Sequence, residues 1–155
     1  MVRIKVFVPM FACLLLVTAA HPAAQPSNPV PQSSPLPNPV LYLTGIEYYT
    51  ASGKDFTRYK YGVANSTAYP DSLFASSPNL PPCGANTNSS RSWVDFFDLR
   101  GKRLYGFCAL TNAAGLNKIW FSMETGVIPP SYVYIEITDR ATNTKYKSNL
   151  ADTVE

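Results

Sequence analysis

Histidine is nearly missing from this chain: the only one is His21, and it stands ahead of every segment with a folding pattern. A catalytic serine or cysteine needs an imidazole to take its proton, so Ser-His-Asp and Cys-His hydrolases are excluded in their ordinary form. Imidazole-ligated zinc, copper and non-haem iron go with them. Cysteine is scarce as well. Of three, Cys13 lies inside an apolar run near the start, which leaves Cys83 and Cys108. Two cysteines make neither an all-cysteine zinc site nor an iron–sulfur cluster. There is no glycine-rich phosphate loop, no sustained helical period, no heptad pattern and no internal repeat. No cofactor and no metal are expected.

The first residues have the layout of an export signal. Arg3 and Lys5 precede an apolar stretch from Val6 to Val17, and the small residues Thr18, Ala19 and Ala20 follow. Cleavage after Ala19 or Ala20 satisfies the small-x-small rule and sets a signal peptide at residues 1–20. The stretch is shorter than the about 20 apolar residues of a spanning helix, so no stable membrane span is expected once it is removed; an uncleaved anchor is the alternative. A lipidated cysteine would end the apolar run, whereas Cys13 sits within it. The protein is therefore expected to be exported, either secreted or held at the cell envelope.

Losing Arg3 and Lys5 changes the charge balance. Of 13 Lys and Arg, 11 remain against 10 Asp and Glu, a net charge of +1. Nothing is left to attract nucleic acid or an anionic membrane. The small basic cluster Arg100, Lys102 and Arg103 falls on a predicted turn and reads as a solvated hairpin tip. Two cysteines in an exported chain are expected to pair as Cys83–Cys108. Closing the 24-residue loop between them stabilises the fold by about 3.5 kcal/mol through chain entropy. The alternative is two unbridged thiols.

Residues 21–39 hold seven prolines mixed with Ser, Asn, Ala and Gln, a composition that reads as an extended, flexible linker. From Val40 the composition changes to aromatic and β-branched residues, with turn residues recurring every ten or so positions. Strands are expected over Leu41–Tyr49, with a bulge at Gly45, and over Phe56–Ala64, where Thr57, Tyr59, Tyr61 and Val63 share a face. Trp93–Phe97 and Arg103–Leu110 form a hairpin around Asp98–Lys102. Ile119–Met123, Tyr132–Thr138 and Lys145–Leu150 complete the set. Tyr69–Phe74 is short and strand-like, Phe74–Asn79 offers one helical turn, and Ala75–Ser92 is irregular. This pattern predicts one all-β domain over residues 40–155, an antiparallel sandwich of about seven strands.

Few residues carry chemistry. Asp95 and Asp98 lie on opposite faces of one hairpin, so they do not converge as a glycosidase pair must. Asp98 at the start of a turn needs no calcium. The loop from Gly84 to Arg91 is the candidate recognition surface, with Asn86, Asn88 and Arg91 as its residues. Arg91 either grips a ligand carboxylate or sugar hydroxyl, or bonds Asp95 beyond Trp93 and pins the loop. Ten tyrosines allow an exposed row from Tyr48, Tyr49, Tyr59, Tyr61, Tyr69 and Tyr132, or a half-buried sheet surface. Asn65-Ser66-Thr67 and Asn88-Ser89-Ser90 match glycosylation sequons.

Two resemblances stand on motifs. Ile128-Pro129-Pro130-Ser131-Tyr132-Val133-Tyr134 resembles the tyrosine corner of fibronectin type III domains, with Pro130 and Tyr134 at the matching positions. It implies an Ig-like or fibronectin type III-like sandwich in which the Tyr134 hydroxyl bonds back to the preceding loop. The run Pro81-Pro82-Cys83-Gly84, then Ser90-Arg91-x-Trp93-Val94-Asp95, then Gly101-x-Arg103-Leu104-Tyr105-Gly106-Phe107-Cys108, looks like that of an uncharacterised family of exported proteins and brings no activity with it. The cysteines depart from the antibody arrangement: Trp93 lies ten residues after the first, and Tyr105 three before the second. The expected function is a non-catalytic, monomeric binding module for a protein or glycan. A carbohydrate-binding module using exposed tyrosines, and a carboxylate-only hydrolase, are the alternatives.

Overall fold

A computed structural model describes residues 35–83, 86 and 89–154. The export signal, most of the Pro-rich segment and Asn88 lie outside the described residues. The chain folds as an all-β sandwich of two antiparallel sheets. In chain order the strands are β1 (Leu41–Ala51), β2 (Lys54–Val63), β3 (Ser92–Asp98), β4 (Arg103–Phe107), β5 (Ile119–Glu124), β6 (Tyr132–Asp139), β7 (Thr144–Lys147) and the short β8 (Ala151–Asp152). One sheet has the order β1-β2-β5 and the other β4-β3-β6-β7, with β8 also paired to β6.

Local chemistry sets the hairpins. Ser52 and Gly53 both adopt positive φ, the two-residue turn whose twist matches that of the flanking strands β1 and β2. The β1–β2 register shifts between Leu43 and Gly45, so the expected bulge is present. Asp98 closes the β3–β4 turn: its Oδ1 accepts from the backbone of Arg100 at 2.9 Å and of Lys102 at 2.8 Å. That carboxylate is consumed by an Asx-type turn.

Strand alternation places the core. Tyr59, Tyr61 and Val63 of β2 and Ile119 and Phe121 of β5 face Val94 and Phe96 of β3 and Val133, Ile135 and Ile137 of β6, and all are buried. Phe121 stacks on Tyr59 at 5.0 Å and meets Phe96 at 5.3 Å, while Tyr61 meets Phe96 at 5.4 Å. Burial pushes the Tyr61 phenol above its ordinary pKa; its hydroxyl donates across the sandwich to the carbonyl of Asp152 at 3.0 Å. A buried phenol so satisfied adds packing area without an orphaned polar group.

Five expectations about local structure are corrected. Tyr69–Phe74 is not a strand; 3-10 turns occupy Ser66–Ala68 and Asp71–Leu73, and the turn expected over Phe74–Asn79 starts earlier. Tyr69, Leu73 and Phe74 are buried there, and Asp71 Oδ1 holds the Ala113 backbone at 2.9 Å. The strand beginning at Arg103 ends at Phe107, and the one expected over Lys145–Leu150 starts at Thr144 and ends at Lys147. Asn149 interrupts the latter: its side chain accepts from Leu41 N at 2.7 Å and donates to Leu41 O at 3.0 Å. One amide thus serves as a backbone partner for the start of β1 and ends its own strand. Finally, folded contacts reach back into the Pro-rich segment, since Leu36 packs on the core and Asn65 Nδ2 donates to Asn38 O at 2.9 Å. Asn65 Oδ1 also accepts from Val40 N. The side chain of that sequon is engaged in the fold.

Among the described residues, the Tyr134 hydroxyl makes no tyrosine-corner bond. Its ring stacks on Phe97 at 5.2 Å, with the Lys147 ammonium over it at 4.1 Å. The Pro130 carbonyl is instead taken by the buried Thr153 hydroxyl, whose backbone N–H donates to Ser131 O at 3.2 Å. Thr153→Val should therefore cost about 1 kcal/mol or more in urea unfolding, while Tyr134→Phe stays within about 0.5 kcal/mol of wild type. The reverse order would restore the corner role to Tyr134.

Candidate functional site

The long connection from β2 to β3 crosses from one sheet to the other, and three devices fasten it. The first is the expected disulfide, Cys83–Cys108, with Cα atoms 6.3 Å apart. It ties the connection to the chain just past β4. Around it Cys83 and Asn86 exchange backbone bonds at 3.0 and 3.2 Å, and Ser90 N donates to Cys108 O at 2.8 Å. Asn86 Nδ2 also reaches Cys108 O at 3.4 Å, so Asn86 belongs to the clamp.

The second device is Arg91, and here the expected partner was wrong. Arg91 does not bond Asp95. Its Nε and Nη2 donate to the two oxygens of Asp139 at 2.8 and 2.6 Å. This fork is the strong geometry for a guanidinium and a carboxylate. Asp139, at the end of β6, is 4 % exposed and also accepts from Ala141 N and the Thr142 hydroxyl, each at 3.0 Å. The Arg91 bond holds the Asp139 carboxyl below its usual pKa; burial opposes this and the other two donors assist it.

Arg140 is the third device, and sequence reasoning missed it. Its guanidinium donates to Ser89 Oγ at 2.8 Å, to Ser90 O at 3.1 Å and to Pro81 O. The same group lies over the Trp93 ring at 4.7 Å. The last residue of β6 and the one after it, Asp139 and Arg140, thus both anchor the connection. The only sequence signal was an adjacent acid and base at a strand end.

These anchors frame a depression of about 500 Å³ on the outer face of β3 and β4, lined by Pro82, Cys83, Trp93, Asp95, Arg103 and Phe107. Trp93 is 38 % exposed. Asp95 accepts from Arg103 Nε at 2.7 Å, so Arg103 is tied to the sheet face while its side chain stays in solvent. The pair lies across Gly106, where an added Cβ would fall 1.9 Å from Asp95 Oδ1 and 2.1 Å from Arg103 Nη2. Any side chain there would displace the tips of both residues.

Asp95 and Glu136 stand opposite each other on β3 and β6. Like charges in that relation repel. Each has its own cation on the outer side: Arg103 for Asp95, and Lys145 at 2.7 Å for Glu136. The Glu136 bond raises the Lys145 ammonium above its ordinary pKa, and the charge of Asp95 adds to this. The result is a row of charges, plus, minus, minus, plus, over four strands. These carboxylates lie side by side on one sheet and do not face each other across a scissile bond.

Comparison with protein-family models, with curated proteins and with solved structures finds no match to this chain. Its function has to be argued from the surface alone. The alternative of an exposed tyrosine row is not met: Tyr59, Tyr61 and Tyr69 are in the core, while Tyr48 and Tyr132 project from different sheets. A second aromatic surface does exist. Arg58 is sandwiched between Tyr49 and Trp120 at 4.4 and 4.5 Å, and Tyr105 stacks on Trp120 at 5.6 Å. Its ring faces are turned on one another and on the guanidinium, so they are already used.

Asp139 gives the clamp a pH signature. Its folded pKa lies below the unfolded value of about 3.9, so its contribution is complete above that pH and is lost as pH falls through the lowered folded value. Urea unfolding at a series of pH values between about 2 and 5 should show wild-type stability falling with acid, and Asp139→Asn should flatten that limb. An acid limb unchanged by the substitution would place the linkage elsewhere.

Proposed function

We propose that this protein is a non-catalytic recognition domain of an exported compartment, and that the Trp93 depression is its binding surface. The observation that carries the reading is an exposed indole beside a charged pair, held at the spot where a disulfide and two arginine anchors converge. Loops placed rigidly on a sheet are where recognition residues concentrate. Tryptophan and arginine are the side chains that dominate binding energy when they sit in such a place. The non-catalytic part of the proposal rests on the histidine-free domain and on the side-by-side carboxylates. The domain is read as a monomer.

Export and fold family belong to the same proposal. A disulfide is the bond of an oxidising compartment, and no helix among the described residues is long and apolar enough to cross a membrane. With the signal pattern of residues 1–20, this supports export. The strand order, with three hairpins linked by crossings between a three-stranded and a larger sheet, supports an Ig-like, fibronectin type III-like sandwich.

Two measurements test the reading. Amino-terminal sequencing of the protein recovered outside the cytoplasm should begin at Ala20 or His21; an intact Met1 on all of it would contradict a cleaved signal. Immobilised wild-type domain should retain material from the envelope fraction of its own source, and Trp93→Ala and Arg103→Gln should each reduce that retention by about tenfold. Retention that is equal in all three proteins would move the binding surface away from the depression.

A further inference from the structure

The polar groups of the depression define what fits it. Asp95 Oδ1 is taken by Arg103 Nε. Among the described residues, Asp95 Oδ2 and the two Nη atoms of Arg103 make no hydrogen bond; the Arg103 side chain is 60 % exposed and that of Asp95 13 %. An acceptor and two donors therefore stand side by side. Next to them the Trp93 indole and Pro82 give an apolar wall.

Each simple ligand class fails one part of this set. An anion meets Arg103 and is repelled by Asp95; a cation meets the converse. A wholly apolar ligand desolvates the ion pair and returns no hydrogen bond, which costs more than its contact gains. The set suits a neutral molecule with neighbouring hydroxyls at one edge, each both donor and acceptor, and a flat C–H face beside them. A pyranose with all its hydroxyls equatorial has that form, because its C–H bonds are then axial and cover both faces. The depression lies in the size range of small-ligand sites.

Resting on the reading of the Trp93 depression as the binding surface, we infer that its ligand is a neutral β-glucoside, with vicinal equatorial hydroxyls held by Asp95 and Arg103 and a sugar face against Trp93. The residues differ from the tyrosine row that the composition suggested. Arg140, beneath the indole at 4.7 Å, fixes the ring in place, so little freedom is lost on binding. Gly106 keeps the ion pair lying across β4, in reach of the sugar edge.

Saturation-transfer NMR and Trp fluorescence of the full mature chain with cellobiose test this directly. Cellobiose should show saturation transfer and shift the tryptophan emission. Galactobiose, whose axial hydroxyl breaks the flat face, should bind about tenfold more weakly. Trp93→Ala and Arg103→Gln should each abolish the cellobiose signal at unchanged unfolding midpoint. Gly106→Ala keeps every charged group but unseats the pair, and should weaken binding about tenfold. No cellobiose signal in wild type overturns the inference, as does equal binding of both disaccharides or binding that survives Trp93→Ala. A response of Trp93 to a synthetic peptide of residues 21–34 but not to cellobiose also overturns it, in favour of an internal peptide ligand. Retention of envelope material that depends on Trp93, without a cellobiose signal, removes the glucoside and leaves the binding-module reading standing.

Discussion

The outer face of this sandwich depends on the bidentate bond between Arg91 and Asp139. A carboxylate as enclosed as Asp139 must be paired, and removing one member of such a pair costs about 3–5 kcal/mol because a buried charge is left behind. The bond sits next to the Ser92–Asp139 register pair of β3 and β6, so side chains reinforce the end of the backbone ladder. Beyond it the long connection turns away with Arg91 N bonded to Ala75 O and Arg91 O bonded to Arg140 N.

The core below is a separate matter of packing. Tyr61, Phe96 and Phe121 fill the space between the sheets whether or not the loop is fastened, as aromatic pairs with several buried neighbours do. This separation explains how the outer surface can be specialised at small risk to the fold. Asp95, Glu136, Arg103 and Lys145 are balanced across the sheet, and Trp93 lies on a cation. The outer face carries rigid side chains with unused hydrogen-bonding capacity, an arrangement with more value in binding than in stability, since exposed ion pairs contribute little to folding.

Period-two patterns were legible in the sequence because they answer to one physical demand, burial of one face. Thr57, Tyr59, Tyr61 and Val63 were read as one face, and that face is the core. The bulge at Gly45 and the disulfide were legible for equally local reasons: a glycine that interrupts alternation, and two cysteines left to pair. What was not legible required distance. Arg91 finds its acid 48 positions away, past four nearer carboxylates, Asp95, Asp98, Glu124 and Glu136, because β3 and β6 are neighbours in the sheet. Asp95 was the nearer choice along the strand, but Arg103 reaches it from β4. Tyr134 matched a motif in spacing, yet its hydroxyl points toward Gly101 and Thr153 takes the carbonyl. Tyr69 and Phe74 carry strand-like residues and are buried from 3-10 turns, a case of tertiary packing overriding propensity.

The central claim is that the Arg91–Asp139 bond, with the disulfide and Arg140, holds the loop rigid over an independently stable core. Residue-resolved amide hydrogen exchange on Asp139→Asn tests it most directly. The account predicts that the amides of Ser77, Ser90, Arg91 and Arg140 lose protection while those of β2, β3 and β6 within the core retain it. Unchanged protection at those four amides, or an equal loss throughout the sheets, would contradict it.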